Sequence, residues 1–163
     1  MTTLSLPFST ERLLSRPFTP DDLDDLYAYQ GIPEVARYLY RPPLTREQCA
    51  QSLTRRAAGT AWAEDGDDLV VAVCPADGAK VVGEVVLKLT SARARQVEIG
   101  WNFNPAYGGR GYAIEAARAT AAPAFAAHTA PSSCSRPSRN SRAPSSSPWF
   151  NYLARRFQDA STP

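Results

Sequence analysis

Cysteine is scarce and scattered in this 163-residue chain: Cys49, Cys74 and Cys134 are odd in number, far apart and free of any C-x-x-C spacing. That excludes a disulfide framework and offers no zinc pattern, so no metal is expected and the thiols should be reduced. The sequence also lacks a basic-then-apolar leader and any run of about 18 apolar residues, which predicts a cytoplasmic protein without a membrane partner. Within residues 1–128 no element interleaves Lys and Arg with aromatics, as a nucleic-acid surface would, so nucleic acid is not an expected partner for this body. What is present is unevenly spread. Residues 1–128 carry 13 Lys and Arg against 15 Asp and Glu, whereas 129–163 carry five Arg against the single Asp159. The formal net charge of +2 is therefore a body of −2 joined to a tail of +4.

Hydrophobic residues make up 44% of the chain, enough for one core, and their period changes along it. Glu11–Phe18 reads as a short strand closed by Pro17. Thr19 then suits an N-cap with Pro20 at the first helical position, and Asp21, Asp22, Asp24 and Asp25 lie where a helix dipole favours them. That acidic run reads as capping. Leu23, Leu26, Tyr27 and Gln30 give the helix a narrow stripe before Gly31, and a short second helix covers Glu34–Leu39. Thr45 to Gln48 fits a capping box for a third helix ending near Ala58, with Gly59 as its C-cap.

From Asp68 three β-rich runs follow, Leu69–Cys74, Val81–Leu89 and Gln96–Phe103, separated by turn residues and read as antiparallel. In the last run Val97, Ile99, Trp101 and Phe103 face one way, and Glu98, Gly100 and Asn102 the other. Next comes Asn104-Pro105-Ala106-Tyr107-Gly108-Gly109-Arg110-Gly111-Tyr112-Ala113, and then an alanine-rich helix from Tyr112 to Ala127. Its expected stripe is Ile114, Ala117, Ala121 and Phe125, with a kink or early end at Pro123. Glycines at 108, 109 and 111 permit positive φ and close approach to a ligand, and the first N–H groups of the helix would point at an anion. A ligand-free β-to-α connection is the alternative. The turn is not a Rossmann fingerprint, since no parallel βαβ unit opens the domain and no acidic residue follows about 20 positions later. It is not a Walker loop either, because no Gly-Lys-Ser/Thr is present.

The order strand, two helices, three antiparallel strands, glycine-rich turn and helix resembles the GNAT family of N-acetyltransferases. The resemblance rests on Thr10-Glu11-Arg12-Leu13 through Leu23, on Glu98-Ile99-Gly100-Trp101 and on Gly109-Arg110-Gly111-Tyr112-Ala113-Ile114-Glu115-Ala116, and it covers about residues 8–127. It is nearest to the branch of ribosomal-protein acetyltransferases that modify N-terminal amines. The resemblance implies an α/β fold of the α+β type, a GNAT-like, mostly antiparallel sheet flanked by helices, and transfer of an acetyl group from acetyl-CoA to a primary amine. An inactive acyl-CoA-binding or interaction remnant is the alternative, and association as a homodimer stays open.

By resemblance, Gly108, Gly109, Arg110, Gly111, Tyr112 and Ala113 align with the family's pyrophosphate motif. Gly108 departs from it, because the family places Arg or Gln there. Arg110 either screens the phosphates or is solvated. Backbone groups at Trp101, Asn102 and Phe103 would pair with the pantetheine arm or the thioester oxygen. Glu98 is the candidate base or water-positioning residue, or else a solvated strand glutamate, with Glu84 as a weaker candidate. Tyr38, Tyr40 and Arg41 lie where this branch has acceptor-site residues. Glu115 fits a helix-dipole role better than catalysis.

Past His128 the family's further strand and its thiolate-protonating helix are not readable. Residues 129–148 hold eight Ser, four Pro and three Arg with no acidic residue, which predicts disorder, and Trp149, Leu153 and Phe157 suggest a short amphipathic helix within 149–163. A frameshift near residues 126–130 or a genuine tail on a shortened domain would each account for the switch; translation of the other two frames separates them.

Overall fold

The computed structural model describes residues 5–58, 64–94 and 96–128. A five-stranded antiparallel sheet of order β1-β2-β3-β4-β5 forms its centre: β1 (Phe8–Ser9), β2 (Leu13–Arg16), β3 (Asp68–Pro75), β4 (Gly83–Ser91) and β5 (Gln96–Phe103). Four α-helices accompany it: α1 (Leu23–Gln30), α2 (Pro33–Tyr38), α3 (Arg46–Ala58) and α4 (Tyr112–His128). This is the mixed α/β, mostly antiparallel architecture expected from the sequence. Gly59, with its C-cap role, and the features expected in 129–163 lie outside the described residues.

Local chemistry explains where the elements begin and end. Pro17 has no N–H to give a ladder, so β2 stops at Arg16, and the Glu11–Phe18 run is trimmed to four residues. The Thr19 amide donates to Asp22 Oδ2 at 2.7 Å, and Pro20–Asp22 forms a 3-10 turn that runs straight into α1. Thr45 and Gln48 make the expected capping box, with bonds of 2.9 Å from the Thr45 amide and 3.3 Å from the Gln48 amide.

Two helix faces differ from the expected ones. In α1 the buried face is Leu26, Tyr29 and Gln30, while Tyr27 is exposed. The cause lies in the sheet, where the buried Glu84 carboxylate draws the polar ends of Tyr29 and Gln30 inward. In α4, among the described side chains, the buried ones are Ala116, Thr120 and Ala124, while Ile114 is 53% exposed and the expected Phe125 lies outside the described side chains. Small side chains at four-residue spacing let the helix lie close against the sheet, and the Thr120 hydroxyl is satisfied by the Ala116 carbonyl at 2.7 Å. α4 also continues past Pro123, so the early end expected there as the alternative to a kink does not occur. Ala124, next in sequence, packs against Leu69, Val71, Leu87 and Leu89, and this tertiary burial outweighs the local penalty.

The sheet thus has two covered faces. Leu13, Val73, Val85 and Ala116 form the core on the α4 side, joined by Trp101, Phe103 and Tyr112. On the other side Phe18, Leu26, Tyr29, Cys49, Leu53 and Ala72 pack beneath α1 and α3. β5 is the last strand of the sheet, and among the described residues its outer edge has no strand partner.

Candidate active site

β5 ends at Phe103, and the chain turns at once through a 3-10 turn, Pro105–Tyr107, into the glycine-rich segment. Asn104 fixes this turn, since its side-chain oxygen accepts from the Ala106 amide at 3.0 Å. Gly109 and Gly111 have φ of 74° and 76°, the left-handed region that favours glycine. Gly108 does not share it. Its φ is −63° with ψ 160°, and a Cβ there would come within 3.0 Å of the Pro105 carbonyl oxygen, so the constraint at 108 is crowding. In front of Gly109 the space is open. α4 starts at Tyr112, and its first turn carries amide groups without intrahelical acceptors. The Arg110 guanidinium lies over the Tyr107 ring at 5.6 Å.

A cleft of about 360 Å³ opens beside this turn, between α2 and the end of β5. Trp101, Asn102 and Phe103 line it from the sheet, Ala113 from α4, and Glu34 and Tyr38 from α2. The structure therefore brings together the β5 positions, the start of α4 and one of the three acceptor-site candidates. Tyr40 is 70% exposed, and Arg41 turns toward Gln30, whose side-chain oxygen accepts from it. Glu98 is not among the residues lining the cleft. It is half-buried on β5, opposite Lys88, and four residues of strand place it about 13 Å from Asn102.

Glu84, the weaker candidate base, has a different part. It is wholly buried, and it accepts from Gln30 Nε2 at 2.7 Å, Asn102 Nδ2 at 3.0 Å and the Tyr29 hydroxyl at 3.3 Å. Arg56 adds Nε at 2.9 Å and Nη2 at 3.1 Å. Its lone pairs are committed, so it braces Asn102 and has no capacity left to accept a substrate proton. Burial works against the Arg56 charge, but the attraction of Glu84 outweighs it and raises the arginine further. Asn102 is held by the same hub through its side chain, and its register partner in the sheet is Glu84 itself.

A profile for the acetyltransferase (GNAT) domain matches residues 12–143. The chain belongs to the GNAT acetyltransferases. The matched span runs beyond residue 128, where the sequence composition changes. Solved structures agree on the fold. A GNAT-family acetyltransferase from Bacillus anthracis is 27% identical over 74% of this chain and 67% of that one, with a TM-score of 0.64. An acetyltransferase from Agrobacterium tumefaciens is 21% identical, with the same coverages and a TM-score of 0.58. A Vibrio cholerae protein carrying the description ribosomal-protein-serine acetyltransferase is 20% identical over 76% of this chain and 69% of its own, with a TM-score of 0.58. A search of curated proteins gives no match.

GNAT acetyltransferases use acetyl-CoA as co-substrate, and the turn suits its pyrophosphate: two left-handed glycines, open space at Gly109 and unpaired first-turn amides converge there. Sequence reasoning missed Glu34, because a single glutamate near a proline carries no motif. It also missed the hub around Glu84, whose members come from α1, α3, β4 and β5 and share no spacing.

Proposed function

We propose that this GNAT chain transfers an acetyl group from acetyl-CoA to a primary amine by direct attack in a ternary complex. The observation that carries the reading is the glycine-rich turn at the N-terminus of α4, opening beside the cleft between β5 and α2. The residues for the coenzyme are Gly108, Gly109, Arg110, Gly111, Tyr112 and Ala113 at the phosphates, and the backbone of Trp101, Asn102 and Phe103 along the β5 edge. The neutral amine nitrogen attacks the thioester carbonyl, the carbon–sulfur bond breaks, and coenzyme A leaves as a thiol once its sulfur gains a proton. Positioning of the two reactants supplies much of the rate.

The amine must lose its proton first. At pH 7 this costs roughly 4.6 kcal/mol for a lysine-like amine and about 1 kcal/mol for an N-terminal one. An α-amine is therefore the favoured acceptor, and it needs only a modest base. The candidates for that base are Glu34, which lines the cleft wall, and Glu98, which lies outside the cleft farther along the strand face of Asn102.

Calorimetric titration with coenzyme A, followed by thiol release from acetyl-CoA with a panel of peptides and small amines, tests the reading. Coenzyme A binding and faster release with free α-amines support it; absence of both overturns it. Binding without turnover on any amine would leave the inactive acyl-CoA-binding reading, which the position of Glu98 outside the cleft favours. Loss of turnover in Glu34→Gln or in Glu98→Gln assigns the base.

A further inference from the structure

The glycine-rich turn has a support problem. Gly109 and Gly111 are residues with the largest backbone entropy to lose, and Gly108 supplies no side chain that would tie the loop down. The Arg110 peptide sits between the two left-handed glycines, and something outside the turn must hold it. The structure shows what does.

Arg12, in the turn between β1 and β2, reaches across the sheet end to this segment. Its Nη1 donates to the Arg110 carbonyl at 3.0 Å. Its Nε and Nη2 donate to Glu115 Oε2 at 2.8 and 2.5 Å, and its backbone amide approaches Glu115 Oε1 at 3.4 Å. The Thr10 hydroxyl donates to Glu115 Oε1 at 2.6 Å. Glu115 lies in the first turn of α4, and its amide donates to the Gly111 carbonyl at 3.1 Å. The Arg12 guanidinium also lies over the Tyr112 ring at 5.3 Å, and a Cβ on Gly111 would meet its Nη2 at 3.6 Å. One planar group thus grips the turn on both sides of Gly111, at Arg110 before it and at Tyr112 and Glu115 after it.

We propose that Arg12 is a positioning strut for the coenzyme site: with Glu115 and Thr10 it holds the Arg110–Gly111–Tyr112 backbone in its anion-binding shape, so that residues of the first hairpin set coenzyme A affinity. The proposal rests on the coenzyme reading given above. Hydrogen bonds from Thr10 first, and then from Arg12, hold the Glu115 carboxyl below its ordinary range, consistent with an ionised partner at working pH. Arg12 is 49% exposed, so its ion pair adds little to global stability. Its loss should loosen the turn and leave the fold intact. Lysine cannot replace it, because a single ammonium cannot serve the carbonyl and both carboxylate bonds in one fixed fork.

The competing explanation is simple attraction of phosphates by the Arg12 charge, and Glu115 separates the two. Glu115→Gln removes a negative charge beside the turn, so attraction predicts tighter coenzyme A binding, whereas a strut predicts weaker binding. The experiment uses the full chain and coenzyme A titration by calorimetry, with thermal melts as a folding control. Amide exchange of residues 107–113 is followed without ligand. Arg12→Ala is expected to weaken coenzyme A about tenfold, the scale of one charge-assisted hydrogen bond. Arg12→Lys should recover only part of this. Glu115→Gln should also weaken binding, and the double variant should be no worse than the worse single one. Exchange in the turn should quicken in each. Wild-type affinity in Arg12→Ala, or tighter binding in Glu115→Gln, overturns the proposal. If the wild-type chain itself does not bind coenzyme A, the coenzyme reading falls with the affinity part of the proposal. Exchange then decides the strut alone: faster in Arg12→Ala upholds it, unchanged overturns it.

Discussion

Glu84 has no exposed surface, and a buried carboxylate is tolerable only when every lone pair is met. Gln30, Asn102, Tyr29 and Arg56 meet them, and Arg56 in turn donates to the Ser52 hydroxyl. Burial, with the Glu84 charge second, pushes the Tyr29 hydroxyl well above its ordinary value, so it stays a donor. The hub joins α1, α3, β4 and β5, and it holds the side chain of Asn102, which lines the cleft. Glu84→Gln keeps the shape but leaves Arg56 without its counter-charge and turns an acceptor into a donor facing it. The expected loss is about 3 kcal/mol or more, the usual scale for stranding one partner of a buried pair. Urea unfolding measures it. The double variant Glu84→Gln with Arg56→Met should be less destabilised than Glu84→Gln alone, since the stranded charge is gone. A loss below about 1 kcal/mol in Glu84→Gln would show that the hub tolerates an amide and carries little of the fold.

At the scale of elements, the junction between β2 and α1 depends on a titratable pair. Arg16 donates to both Asp22 carboxylate oxygens at 2.8 Å, and Asp22 accepts the Thr19 amide that starts the helical turn. Burial alone would raise the Asp22 pKa, but the bonds from Arg16 and Thr19 together bring it below its ordinary value. A lowered carboxylate stabilises the fold above its unfolded pKa, near about 3.9, and that contribution fades as pH falls through the lower folded value. The melting temperature should therefore drop on acidification from about pH 5 toward pH 2, and Asp22→Asn should flatten part of that slope while melting lower at neutral pH. Parallel slopes for the two proteins would remove Asp22 from the acid response. The same junction shows what a sequence can disclose. Thr19, Pro20 and Asp22 signal a helix start through local chemistry, as do Thr45 and Gln48, and Gln96–Phe103 declares its strand by alternation. β1 has two residues and no period to read, and the true face of α1 depends on a carboxylate more than 50 residues away. For the same reason the glycine-rich turn was legible and Glu34, Arg12 and the Glu84 hub were not: a turn is written in consecutive residues, whereas a strut or a cleft wall is written in the fold.

For the molecule as a whole, the coenzyme reading joins three parts that otherwise meet only at their edges: β5, the glycine-rich turn and the first turn of α4. Residues 1–128 carry more acidic than basic groups, so attraction for a phosphate-bearing ligand cannot come from the overall charge and must be local. On the coenzyme reading, oriented amides at the turn, with the exposed Arg110 and Arg118 near the start of α4, would supply it. Such a ligand should stabilise the folded chain by mass action, by about 2.7 kcal/mol at a hundredfold excess over its dissociation constant. For a body of this size that is a rise of about 10 °C in melting temperature. The chemistry of the shift is as informative as its size. Adenosine 5′-diphosphate tests the pyrophosphate and its nucleoside alone, pantetheine tests the β5 edge alone, and coenzyme A engages both. If the turn provides most of the affinity, coenzyme A should shift the melting temperature strongly and pantetheine hardly at all. Rising salt should reduce the coenzyme A shift, because the responsible charges are exposed and screened within about 10 Å at 0.1 M. Equal shifts from pantetheine and coenzyme A would move the binding energy to β5 and leave the glycine-rich turn as a connection between a strand and a helix.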